Sequence, residues 1–163
     1  QSGTPTRIST GREYLMSPLQ LDHIGIAVRS IDAALPLWRD ALHATLGDRE
    51  TIASELVEVQ FLSTGDTTTE LVEPTCDESP VHRFIEKRGE GLHHVAYRVE
   101  NLAETMGRLT ASGSILIYPQ PRQGSHETMI NFIHPSSTGG ILIELVEYPQ
   151  QGSGQSAEEE IDS

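Results

Sequence analysis

The sequence predicts an α+β fold in which two βαβββ modules pair their sheets into one curved, open barrel. Three observations predict it. The apolar, β-branched run of residues 21–28 carries His23 at its third place, and the run of residues 92–99 carries His94 at the same place. Glu70-Leu71-Val72-Glu73 recurs letter for letter as Glu144-Leu145-Val146-Glu147. A stripe of apolar residues at helical spacing follows each histidine strand. The chain reads as one module written twice, 21–73 and 92–147, inside a single domain of residues 19–148.

Residues 1–18 are rich in Ser, Thr and Gly, with Arg7 and Arg12. They read as a disordered tail, an expression remnant or the end of a targeting segment. Residues 22–28 alternate as a first strand, with His23, Gly25 and Ala27 on one face and Ile24, Ile26 and Val28 on the other. A helix follows on Leu35, Trp38 and Leu42, with Gly47 as its stop. Pro36 lacks the N–H a helix interior needs, so the helix is expected to start near residue 33, with Pro36 in its first turn. Residues 56–62 read as the second strand and residues 67–72 as the third, around the Gly65-Asp66 turn. After a linker of residues 73–80, Ser79 caps a short helix that Pro80 opens and Gly89 ends.

The second module repeats the order. Residues 92–99 form a strand. Asn101 and Glu104 resemble a capping box, before a helix on Leu102, Met106 and Leu109 that Gly113 closes. Residues 115–118 form a short strand, 119–128 a polar loop, 129–134 a strand and 141–147 the last strand. Residues 149–163 end in Glu158-Glu159-Glu160 and read as an acidic disordered tail.

Composition narrows the function. The net charge of −13 argues against nucleic acid, whose phosphates need Lys and Arg. No apolar run is long enough to span a membrane. The one cysteine, Cys76, excludes an internal disulfide and suits a reducing compartment, so the expected location is cytoplasmic, with the mitochondrial matrix as the alternative.

Each module offers one histidine and one glutamate on a strand. His23, Glu70, His94 and Glu144 together make a ligand set for a divalent ion. Neutral imidazole and ionised carboxylate suit Co²⁺, Mn²⁺, Ni²⁺, Zn²⁺ or Fe²⁺ alike. A lone strand histidine is more often a hydrogen-bonded core residue, and a lone strand glutamate usually faces solvent. The doubling of both is what favours a metal.

These residues carry a resemblance. Residues 21–28, Glu70-Leu71-Val72-Glu73-Pro74, the run 84–96 containing Lys87-Arg88-Gly89-Glu90-Gly91-Leu92-His93-His94, and the run 134–145 containing Ser137-Thr138-Gly139-Gly140 are similar to the methylmalonyl-CoA epimerases of the vicinal-oxygen-chelate (glyoxalase) superfamily. The resemblance covers residues 20 to 148. It implies a glyoxalase-like fold, a homodimer and an acyl-CoA thioester substrate. It also implies one divalent ion per chain, cobalt first, on His23, Glu70, His94 and Glu144; the family admits Gln or Glu at the second position. The implied reaction epimerises methylmalonyl-CoA, or a close 2-substituted malonyl thioester, through a metal-stabilised enolate. The implied pair of bases is Glu58 and Glu144, with His126 and Glu127 next in line should Glu58 fail. His93 is expected to point away from the site. Two segments depart from the family pattern. Gly124-Ser125-His126-Glu127 stands where a Gly-x-Gly-Gly loop is common, and Ser136 stands where Lys is common. The alternatives are a lactoylglutathione lyase-type isomerase and a non-catalytic ligand-binding relative.

Overall fold

The computed structural model describes residues 19–150, so residues 1–18 and 151–163, where the two tails were expected, lie outside the described residues. Strand β1 (Gln20–Ala27) leads into helix α1 (Ile31–Leu35, continued by the wider turn Pro36–Ala41), which Ser30 caps by accepting from the Ala33 N–H. Pro36 therefore sits beyond the first turn, not within it as predicted. From Pro36 to Ala41 the helix widens, and Leu42 N–H reaches back five residues to the Leu37 carbonyl at 2.9 Å. Proline removes one ordinary helical bond, and the wider winding is how the chain absorbs the loss.

Strands β2 (Thr45–Ile52), β3 (Val57–Thr64) and β4 (Thr67–Pro74) complete the first module. Helix α2 (Pro80–Arg88), capped by Ser79, links it to β5 (Gly91–Arg98). Helix α3 (Leu102–Ala111), capped by Asn101, precedes β6 (Arg122–Gln123), β7 (Met129–Ile133) and β8 (Ile143–Glu147). The strand predicted over 115–118 is reduced to one bridge, Leu116 opposite Ile133. Strand β2 was not expected: the predicted helix stops at Gly47, inside it, and residues 48–52 carried no predicted element.

Among the described residues the strands form one sheet in the order β2-β3-β4-β1-β5-β8-β7-β6. Each half runs outward from a central antiparallel seam, β1 against β5, and each flanks that seam with a parallel neighbour, β4 or β8. The two halves thus share one topology. Both faces of the sheet are apolar. On the outer face Ile31 and Trp38 of α1 pack on Leu62 and Leu71, and Leu102 and Met106 of α3 pack on Ile133 and Leu145. On the inner face Val57, Val59, Phe61 and Val72 meet Val81 and Ile85 of α2, while Ala96, Ile130 and Phe132 line the other half.

The repeated tetrapeptide has two jobs, set by strand alternation. Glu70 and Glu144 point inward. Glu73 and Glu147 point to the helix side, where Glu73 Oε2 accepts from the Ile31 N–H at 2.8 Å and Glu147 Oε2 accepts from the Leu102 N–H at 2.6 Å. Each satisfies an orphan donor in the first turn of its module's helix and sets negative charge at the positive end of the dipole.

Candidate active site

The seam builds the site in two rows. Glu70, Gly25 and His94 lie side by side across β4, β1 and β5, and His23, Ala96 and Glu144 lie side by side across β1, β5 and β8. Each row has a small residue between a carboxylate and an imidazole. A Cβ on Gly25 would stand 2.0 Å from His94 Cε1, so only glycine leaves room for that ring.

The four side chains are buried and converge. His23 Nε2 lies 3.1 Å from His94 Nε2 and 3.2 Å from Glu144 Oε2, and His94 Nε2 lies 3.0 Å from Glu144 Oε2. Glu70 Oε2 is 3.4 Å from His23 Nε2 and 3.9 Å from His94 Nε2. His23, His94 and Glu144 form the tight group, their ligand atoms all within 4.8 Å of one another, and Glu70 borders it. An ion with bonds of about 2.1 Å sets neighbouring ligand atoms about 3.0 Å apart in an octahedron and about 3.4 Å apart in a tetrahedron, so the spacing fits.

The partners of the two rings support the same fit. His23 Nδ1 lies 2.8 Å from Asp22 Oδ2, and His94 Nδ1 lies 3.0 Å from His93 Nδ1. Each imidazole has a partner able to accept from its Nδ1–H, which aims Nε2 at the cluster as the atom that would ligate an ion once it is free of a proton. Both partners come from bulges in the seam. The register steps from Leu21 to His23 against β5, and from Gly25 to Ile26 against two residues of β5, His94 and Leu92. Asp22 and His93 are the extra residues, and a bulge re-aims its side chain. This corrects the expectation that His93 points away. Its ring returns to His94 and stacks edge-on against Phe84, with centroids 4.9 Å apart.

Charge is concentrated here. Burial works against a proton on His23, but hydrogen bonds to Asp22 and Glu144 and the charge of Glu70 raise its pKa to about 10. Burial also pushes Glu144 up; hydrogen bonds from His23 and His94 outweigh this and hold it below the usual carboxylate range. Burial, with the charge of Glu144, raises Glu70 above that range against the pull of the two histidines. His93 falls to about 4 through burial and its neighbour His94, which keeps its ring neutral.

Glu58 is not part of this cluster. Its cross-strand partner is Glu73, on the helix side of the sheet, while the cleft face of β3 carries Val57, Val59 and Phe61. Glu58 Oε2 accepts from Arg49 Nη2 at 3.0 Å, and Arg49 Nη1 donates to Asp32 Oδ1 of α1 at 2.7 Å. The assignment of Glu58 as a base fails on alternation: the cleft lining is apolar, so polarity did not mark the cleft face. His126 stacks on Phe61 with centroids 4.4 Å apart, and its Nε2 lies 3.4 Å from Glu50 Oε1; Glu127 is exposed.

Glu70, His94 and Glu144 of the cluster line a cavity of about 180 Å³ together with Val57, Val59, Tyr118, Phe132 and Glu55, while His23 lines a second cavity of about 180 Å³ with Asp22, Phe61 and His126. The first cavity shares His93, His94 and Leu142 with a groove of about 510 Å³ that carries Arg83, Lys87 and Arg88 of α2. Neither Glu55 nor this cationic groove was singled out from the sequence. The groove had a signal, since Arg83, Lys87 and Arg88 recur at helical spacing on one segment.

Comparison with known proteins agrees with this geometry. Residues 22–132 match the family model described as the Glyoxalase/Bleomycin resistance protein/Dioxygenase superfamily. The chain is 42% identical over 128 residues to the uncharacterized Bacillus subtilis protein YqjC, covering 78% of this chain and 91% of that one. It is 34% identical over 128 residues to the ethylmalonyl-CoA/methylmalonyl-CoA epimerase of Cereibacter sphaeroides, covering 77% of this chain and 96% of the relative. Among solved structures it superposes on a variant of the Streptomyces coelicolor methylmalonyl-CoA epimerase in complex with 2-nitronate-propionyl-CoA. The TM-score is 0.77 at 30% identity, covering 80% of this chain and 97% of that one. Sequence, topology and the inward His/Glu rows together place the chain in the glyoxalase/bleomycin resistance protein/dioxygenase superfamily, alongside its methylmalonyl-CoA epimerases.

Proposed function

We propose that the protein is a divalent-metal-dependent epimerase that inverts the α-carbon of methylmalonyl-CoA or a close 2-substituted malonyl thioester. The observation that carries this reading is the buried His23, Glu70, His94, Glu144 cluster beside an apolar cavity that adjoins a cationic groove. A small acyl group fits the cavity, and Arg83, Lys87 and Arg88 supply charge for the phosphates of its CoA handle. The named epimerase relatives support the same substrate class.

His23, Glu70, His94 and Glu144 would hold the ion, Co²⁺ in our reading, with Mn²⁺, Ni²⁺ and Zn²⁺ also suited to the donors. When bound, it supplies Lewis-acid stabilisation of negative charge on carbonyl-type oxygens. The chain's own residues do the rest. Asp22 and His93 fix the two imidazoles. Val57, Val59 and Phe132 keep water from the acyl group. Glu144, which lines the cavity, would hold or return a proton at the α-carbon.

The test has two arms. Protein purified without chelator should carry one divalent ion per chain by mass spectrometry of the metal, and His94→Ala should lose it while keeping its circular dichroism spectrum. The loaded protein should convert one epimer of methylmalonyl-CoA into an equal mixture of both. An ion-loaded protein that leaves the single epimer unchanged and instead isomerises a glutathione hemithioacetal would move the assignment to the lyases.

A further inference from the structure

We propose that Arg98 and Tyr148 are positioning residues of the metal centre, acting through Asp22 on the imidazole of His23; this rests on the metal-site reading above. Asp22 is the bulged residue of β1, and its side chain is 5% exposed. A carboxylate buried that far needs donors on both oxygens. Its two oxygens divide the work. Oδ2 faces His23 Nδ1 at 2.8 Å and accepts from Tyr148 Oη at 3.2 Å. Oδ1 accepts from Arg98 Nη2 at 3.0 Å and from Arg98 Nε at 3.3 Å. The guanidinium in turn lies over the Tyr148 ring, 4.2 Å from its centroid. Asp22, Arg98 and Tyr148 thus form a closed set in which each member touches the other two.

The set spans the seam of the sheet. Asp22 belongs to the first module, Arg98 ends β5 of the second, and Tyr148 directly follows β8. A ligand of the first module is therefore aimed from the second. Two donors of one guanidinium on one oxygen leave the carboxylate little freedom to turn. Once its plane is fixed, Oδ2 sets the direction of the His23 Nδ1–H, and so the direction in which Nε2 points. His94 is aimed by other means, since its partner His93 is a ring held edge-on by Phe84.

An exposed ion pair does little for stability, and the Arg98 side chain is half exposed. What distinguishes this pair is its acid, which is buried and already carries a ligand imidazole. The sign of the effect separates the two ways Arg98 could act. It is a cation near a site for a cation, so if it acted through charge alone its removal would tighten metal binding. Positioning through Asp22 predicts weaker binding instead.

The experiment titrates Co²⁺ alone into the metal-free protein by calorimetry, for the parent, Arg98→Met, Arg98→Lys, Asp22→Asn and the double variant of Asp22→Asn with Arg98→Met. Arg98→Met should weaken binding about tenfold, and Arg98→Lys, which keeps one charged donor, should restore part of the loss. In the Asp22→Asn background Arg98→Met should cost less than about twofold more, because the residue it acts through is gone. Unchanged or tighter binding by Arg98→Met overturns the proposal, and so does the same loss in both backgrounds. Should Arg98→Met fail to fold, Tyr148→Phe decides: it should weaken Co²⁺ binding about threefold in the parent and not in the Asp22→Asn background, and parent affinity overturns the proposal. A parent that binds no Co²⁺ contradicts the metal site itself, and the role of Arg98 and Tyr148 falls with it. The titration contains no thioester, so its outcome is separate from that of the epimerase assay.

Discussion

Asp22 and His93 are the residues on which the metal proposal leans hardest after the ligands themselves. They occupy the same place in the two modules, one residue before each ligand histidine, and each meets the Nδ1 of its neighbour. Replacing such a partner commonly costs about 10–100-fold in metal affinity, so Asp22→Asn should weaken binding by that factor in a calorimetric titration. Glu58→Gln should leave both metal content and turnover at the parent level, since its contacts are Arg49 and the helix face. Glu55 gives a signed prediction about pH. Its folded carboxyl titrates above the unfolded one, so the fold binds that proton more tightly than the unfolded chain does. The group favours the fold when protonated and works against it as pH rises through the carboxylate range. Thermal unfolding at pH 7 should therefore show Glu55→Gln no less stable than the parent, and a clear drop in melting temperature would mark Glu55 as structural.

At the scale of elements, the sequence was legible wherever periodicity and caps agree. Ser79 with Pro80 and Asn101 with Glu104 announced α2 and α3, and both caps are made. Strand β2 was hidden because it lies at the sheet edge and is mostly exposed, with Gly47 and Asp48 inside it, so neither alternation nor β-propensity marked it. The bulges were hidden for a different reason. A bulge breaks the period of two, and the inference that His93 points away assumed that the period holds. The inner face misled for Glu58 because a barrel buries both sides of its strands, so apolar residues face the cleft as well as the helices. The second glutamate of each repeated tetrapeptide was seen but not explained. It caps a helix, and Glu147→Ala should cost about 1 kcal/mol in urea unfolding while keeping the metal. Leu62, fully buried between β3 and α1, should cost about 3 kcal/mol as alanine in the same measurement.

For the whole molecule, duplication is what creates the site. Neither half owns a complete ligand set. The first contributes His23 and Glu70, the second His94 and Glu144, and each row of the site crosses the seam between β1 and β5. The cavity wall is divided in the same way, since Tyr118 of the second module donates to Glu55 of the first. Such a divided centre is legible in a sequence only through its repeat, which is why four ligand candidates could be named and Glu55, which has no repeated counterpart, could not. The central claim is that this shared cavity makes and quenches an enolate at the α-carbon of a malonyl-type thioester. Proton magnetic resonance of methylmalonyl-CoA in deuterated water with the metal-loaded protein tests it most directly. The account predicts that the α-proton signal disappears and the methyl doublet collapses to a singlet, with loss of both effects in His94→Ala. A parent protein that holds its metal and leaves the α-proton signal intact would contradict it.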